Sequence, residues 1–278
     1  MRTIWKGAIS FGLVHVPVKL YPATERKDIK FNYLHEKCKT PVKYERHCPN
    51  CDIDVPNEEI VKGYEYEKGK YIIIRDEDLE HIPLETSRTV SILDFVDLSE
   101  VDPLYFDKSY YLTPNEGGQK AFELLRQAME KSGKVAIAKV VIRSKEALAA
   151  IRVYKNTVAM ETMFYPDEIR PVSALPELNY NVNIHENELK MAENLISSLS
   201  EQFQPEKYNN QYREAMMELI QSKITGEEIE IPAKAQEGKV VDLMEALKAS
   251  IKIAQQEKKT DKKNAADKET AKKHRKTS

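Results

Sequence analysis

The chain has 278 residues, 41% hydrophobic and 32% charged, enough for one large or two modest domains with a core that needs no disulfide staples. No apolar run approaches the roughly 18 residues of a membrane span, and the N-terminus lacks a signal-peptide core, so a cytoplasmic protein is expected. Three cysteines confined to positions 38–51 do not make a secreted disulfide framework and suit a reducing compartment. The net charge of −2 hides an asymmetry: residues 258–278 carry nine Lys/Arg against three Asp/Glu, which leaves 34 basic and 42 acidic residues before them. A body this acidic binds nucleic acid only if its positive charge is gathered on one surface.

In chain order, Ile9, Phe11 and Leu13 alternate in one phase and Val14, Val16, Val18 and Leu20 in the other. The slip at Gly12-Leu13-Val14 predicts a bulge or sharp bend at a barrel corner, with an ordinary N-terminal hairpin as the plainer alternative, and Pro17 predicts an edge position or strand end. Trp5 reads as core. Further strands are expected over Tyr71–Arg75, Thr89–Phe95, Ser109–Leu112, Val135–Ile142 and Val158–Phe164, with a hairpin turn at Lys155-Asn156. One helix interrupts them, from Glu116 to Lys131, with Phe122, Leu125 and Met129 on one face and Gly133 as its stop. After the proline-punctuated stretch from Pro166 to Pro176 the period becomes helical. Leu189, Ala192, Ile196, Leu199 and Phe203 form one stripe, and Tyr208, Tyr212, Ala215, Leu219 and Ile220 form a second that ends at Thr225-Gly226. Such faces bury on their own barrel or on a second copy of the chain. A linker-like stretch follows, then an amphipathic helix with Val240, Met244, Leu247 and Ile251 along one side, and a tail without sizeable apolar residues that is expected to be disordered.

The metal-like arrangement is His35-x2-Cys38 and Cys48-x2-Cys51, separated by nine residues. Two close pairs of N and S ligands suit a tetrahedral structural zinc with no open position for catalysis, and His47 is a rival for the nitrogen position. The competing reading is reduced cysteines beside a surface histidine. Asp76-Glu77-Asp78 could bind Mg²⁺ or simply end a strand. The chain has no GxxxxGK[ST] loop, HExxH helix or GxSxG elbow, so no catalytic residue and no nucleotide are assigned.

Trp5-Lys6-Gly7-Ala8-Ile9-Ser10-Phe11-Gly12-Leu13-Val14, followed by Val16-Pro17-Val18, closely resembles the opening of the bacterial Ku family, the DNA-end-binding proteins of non-homologous end joining. The resemblance continues through Tyr33-Leu34-His35, Gly63-Tyr64-Glu65-Tyr66, Tyr110-Tyr111-Leu112, Glu168-Ile169-Arg170 and Val241-Asp242-Leu243-Met244, and so covers most of residues 2–252. It implies an α+β architecture: a Ku-type β-barrel with a DNA-encircling bridge over 1–176, containing a zinc-binding insert at 35–51. A helical dimerisation arm would span 177–226, a linker and partner-binding helix 227–257, and a flexible basic tail 258–278. It implies a nucleoid-associated homodimer that threads onto double-stranded DNA ends, protects and bridges them, and recruits ATP-dependent DNA ligase D through Val240, Met244, Leu247 and Ile251. Phosphate contacts are expected from Arg2, Lys6, Lys19, Arg26, Lys27, Lys30, Arg143 and Lys145, with Lys19, Arg143 and Lys145 foremost. Each of these cations reads otherwise as a solvated surface charge. The alternatives from other classes are a zinc-dependent nucleic-acid-binding scaffold that reads through the His35–Cys51 segment, and a nuclease using Asp76 and Asp78.

Overall fold

The computed structural model describes residues 1–80, 88–142, 145–178, 180–226, 244 and 246–253. The chain divides into two compact units, Met1–Ala174 and Leu175–Ser278.

The first unit begins with β1 (Trp5–Phe11) and β2 (Val14–Pro22). Then come β3 (His47–Cys48), β4 (Ile53–Asp54), β5 (Lys62–Glu67), β6 (Lys70–Ile74) and the short α1 (Asp76–Glu80). The chain continues with β7 (Thr89–Asp97), β8 (Phe106–Pro114), α2 (Gln119–Ser132), β9 (Lys134–Ile142), β10 (Lys145–Tyr154) and β11 (Thr157–Met163). Seven strands close a barrel in the order β1-β2-β8-β11-β10-β9-β7, and β3-β4 and β5-β6 form separate two-stranded sheets. Closure comes from parallel pairing of β1 with β7 over Ala8↔Thr89, Ile9↔Val90 and Ser10↔Ser91.

The phase slip at Gly12 is not a bulge. It is a two-residue hairpin turn with Phe11 opposite Val14, and Gly12 holds φ +58°. A glycine in that first central position matches the right-handed twist of the flanking strands. Counting across a turn restarts the alternation, so Leu13 is fully exposed whereas Ile9, Val16, Val18 and Leu20 are completely buried. Pro17 lies in a strand with neighbours on both sides, but pairing with β8 starts only at Val18, so the missing N–H falls where β2 has one partner.

Ile9, Val16, Val18, Leu20, Leu112, Ala149, Ile151, Val158 and Met160 fill the interior, and Phe122, Leu125 and Met129 of α2 join the same cluster. Because α2 leaves the end of β8 and returns into β9, its apolar stripe covers that mouth of the barrel. Gly133, at φ +68°, ends the helix by donating its N–H to the Met129 carbonyl. Trp5 packs against the core, as its sequence position suggested, with its ring over Gly7. A Cβ at Gly7 would collide with that ring and with the Arg88 carbonyl oxygen beside the β1/β7 closure. Gly7→Ala is therefore expected to destabilise the barrel by about 2–3 kcal/mol in urea unfolding, the scale of core overpacking; a variant as stable as the parent would contradict this packing.

The second unit contains α3 (Glu186–Leu199) and α4 (Gln211–Thr225). Glu188 accepts the His185 N–H at the start of α3, Asn210 accepts the Arg213 N–H at the start of α4, and Gly226 at φ +78° ends α4. Phe203 and Tyr208 lie outside these helices and stack on each other, ring centroids 5.7 Å apart. None of the described residues of this unit is buried. Its stripes are therefore not core within the chain: Leu189, Ile196, Leu199 and Tyr212 are each more than half exposed.

Candidate nucleic-acid interface

The β1-β2 hairpin sets Lys6 directly opposite Lys19. With Gly7, Ile9, Val18 and Leu20 committed to the interior, both lysines stand on the outer face. Two like charges so placed destabilise the sheet. Neither forms an ion pair with any described residue.

The row continues across the barrel. Lys19 is opposite Thr113 of β8, and Tyr21 is opposite Tyr111. Tyr111 stacks on Tyr154 of β10, centroids 5.9 Å apart and planes inclined by 22°. The Arg152 guanidinium lies 5.5 Å from the Tyr154 ring centre and donates from Nε and Nη2 to Glu161 Oε1, at 3.1 and 2.7 Å. Lys155, in the predicted Lys155-Asn156 turn, holds φ +52° and sets its ammonium 5.5 Å from the same ring. The outer face of β1, β2, β8, β11 and β10 thus joins lysines that have no ion-pair partner among the described residues to an aromatic wall. A hollow of about 660 Å³ beside it is lined by Tyr21, Tyr111, Thr113, Gln119, Glu123 and Thr157. The Glu123 carboxyl there is held at about 2, first by its hydrogen bond from Arg126 and then by Gln127, so this acid is already engaged.

The other predicted cations are dispersed. Arg2, Arg26, Lys27 and Lys30 are exposed in segments outside regular strands. Lys145 starts β10 opposite Ile142, at the other end of that strand from Arg152 and in the inward phase of Ala149 and Ile151. It does not join the Lys6–Lys19 row. Arg143 lies outside the described residues.

His35 Nδ1 approaches Cys38 Sγ at 3.0 Å, and the Cys48 thiol is held below its usual range, first by the Cys51 and Asn50 backbone and then by the Cys51 side chain. Hydrogen bonds from Thr40, first from its side chain and then its backbone, pull the Cys38 thiol down to about 7. Among the described residues, no three His, Cys, Asp or Glu side chains converge on one point. The acidic triplet is occupied locally. Asp76 pairs with Lys62 at 2.7 Å, which lowers its pKa, and Asp78 accepts the Arg75 N–H.

The closed barrel has known counterparts. Residues 10–191 match the family model described as the Ku70/Ku80 beta-barrel domain. The chain belongs to the Ku family. It is 57% identical over 257 residues to the non-homologous end joining protein Ku of Symbiobacterium thermophilum, which covers 92% of this chain and 64% of that protein. Identity is 50% to the Heliobacterium modesticaldum protein of the same name, over 100% of this chain and 99% of the relative. It is 47% to the Bacillus subtilis one, over 90% and 82%.

Within this Ku barrel the sequence reading missed Tyr111, Thr113, Arg152, Tyr154 and Lys155. Each is unremarkable alone, and their convergence follows from the β8-β11-β10 strand order. In the C-terminal stripe, Met244, Leu247 and Ile251 are half-buried, Lys248 and Lys252 are exposed, and Val240 lies outside the described residues. No helix among the described residues is long and apolar enough to cross a membrane.

Proposed function

We propose that this Ku-family chain acts as a homodimer that encircles double-stranded DNA ends without sequence preference, protects and bridges them, and delivers them to a ligase D type DNA ligase. The observation that carries the DNA contact is the juxtaposition of Lys6 and Lys19 on an outer barrel face, two cations without a described ion-pair partner in a body whose net charge is otherwise negative. Phosphates spaced along a duplex supply the missing counter-charge, and contacts to phosphate accept any sequence. The relatives' printed name, non-homologous end joining protein Ku, supports the same role.

Dimerisation is supported by the apolar surface left open. In the β5-β6 hairpin, Tyr64 and Ile72 point to one face and Tyr71 to the other, and all are more than half exposed. A lone two-stranded hairpin is marginal in water, and α3 and α4 likewise lack a buried residue, so a second copy of the chain provides the cover these faces need. The ligase contact rests on the C-terminal helix, where Ile253 is 56% exposed between the exposed Lys252 and the tail. No catalytic residue is part of this reading.

Binding to one DNA sequence in three forms tests it: linear, covalently closed circle, and linear with bulky adducts on both ends. Strong binding to the open linear form alone is expected. Equal binding to all three would replace encirclement by plain electrostatic attachment and favour the zinc-scaffold alternative.

A further inference from the structure

Helix α2 covers one mouth of the barrel with Phe122, Leu125 and Met129, and leaves part of that mouth open. A hollow of about 540 Å³ lies beside the helix, with Ala121, Ala128 and Ser132 on one bank and Phe11, Val14 and Phe95, from the ends of β1, β2 and β7, on the other. Apolar surface continues past it on both sides. Leu124 on α2 is 71% exposed, and Leu13 of the hairpin turn, Val14 and Phe95 are exposed as well. Apolar surface grouped in this way marks a contact face rather than scattered residues.

The groove suits a helix. From Ala121 to Ser132 α2 advances about 16 Å, and the small side chains at 121, 128 and 132 let a second helix come as close as the about 8–10 Å of tight helix packing. Charge on α2 is sorted around its axis. Glu123 and Glu130 both bind Arg126, at 2.7 and 2.8 Å, and at helical spacing these three positions fall on the side away from Ala121 and Ala128. Lys120 and Lys131 stand four residues before and seven after Leu124, in line with it along the edge of the groove. Both are exposed, and neither forms an ion pair with any described residue. Lys134 is the charged residue among those lining the hollow, and it is paired with Asp97 at 2.8 Å. The uncompensated charge on the α2 bank is therefore positive.

We propose that the groove beside α2 seats an acidic amphipathic helix of a partner protein, with its apolar face on Val14, Phe95 and Leu124 and its carboxylates against Lys120 and Lys131. A helix flanked by lysines would meet like charge there, so the site discriminates by charge as well as by shape. The inference is independent of the DNA-binding reading, which uses the outer face of the barrel rather than its mouth.

Short synthetic peptides titrated against the full chain, read by fluorescence anisotropy, test it. The first carries leucines at i, i+3, i+4 and i+7 with glutamates between them, the second has lysines in place of the glutamates, and the third has the composition of the first in scrambled order. The ordered glutamate peptide is expected to bind about tenfold or more tightly than either control. Leu124→Glu, at a position already exposed to water, should weaken it by about tenfold or more, and K120E/K131E should reverse the preference so that the lysine peptide binds better. Equal binding of the ordered and scrambled glutamate peptides would overturn the site. So would a lower mass of the chain in solution on Leu124→Glu, which assigns the groove to a second copy. Loss of duplex binding in K120E/K131E with the peptide preference unchanged would assign the lysines to DNA and overturn it equally.

Discussion

Replacing Lys6 and Lys19 together by alanine is expected to weaken binding to linear duplex by about 10- to 100-fold near physiological salt, and to reduce the slope of log K against log salt by about two. The same double variant should be no less stable than the parent, and more stable by a few tenths of a kcal/mol, because directly opposed like charges destabilise an antiparallel pair. Opposite signs for binding and stability separate a phosphate-binding pair from an ordinary structural one. Fluorescence anisotropy at several salt concentrations, with urea unfolding alongside, reads both. An unchanged salt slope would remove these lysines from the interface.

The second large effect concerns the support of the aromatic wall. Glu161 is 4% exposed, its Oε1 takes both donors of Arg152, and its Oε2 has no hydrogen-bond partner among the described residues. Arg152→Ala would leave a buried carboxylate uncompensated and is expected to destabilise the barrel by about 3–5 kcal/mol. Replacing both residues, as R152M/E161L, should recover most of that loss, because a buried ion pair and a well-packed apolar pair are similar in net stability. Equilibrium unfolding of the two variants checks this. If R152A is as stable as the parent, the Glu161 charge is being compensated by something other than Arg152. The substitution also removes the cation over Tyr154, whose ring stacks on Tyr111.

Much of the barrel was legible because its signals are local. Phe122, Leu125 and Met129 fall on one helical face and Gly133 supplies the stop, so α2 was visible with a start three residues early. The alternation after Lys155-Asn156 likewise marks β11. The Gly12 slip left a bulge, a sharp bend and a plain hairpin open because a two-residue turn and a bulge both reverse phase in a one-dimensional pattern; only the pairing register shows that the turn sets Lys6 against Lys19. β10, with the sequence KEALAAIRVY, carries helix-favouring residues and becomes a strand because β9 and β11 pair with it on both sides. The Tyr111–Tyr154 stack joins residues from strands separated by β11 in the sheet, a relation no periodicity contains. The spacing of His35, Cys38, Cys48 and Cys51 gave no sign that two aspartates would lie on the His47 ring, a contact made by the β3-β4 hairpin and its turn.

The position of the long excursion between β2 and β7 has a mechanical consequence. Its two roots, at Pro22 and Thr89, belong to the two strands that flank β1, and they leave the barrel at the same end, opposite α2. A pull on the excursion therefore enters along the strand axes and loads the hydrogen bonds of a ladder together. Sideways prying meets only the three residue pairs between β1 and β7. The barrel thus resists tension applied through the excursion best, and its weak direction is the one that spreads the two roots apart.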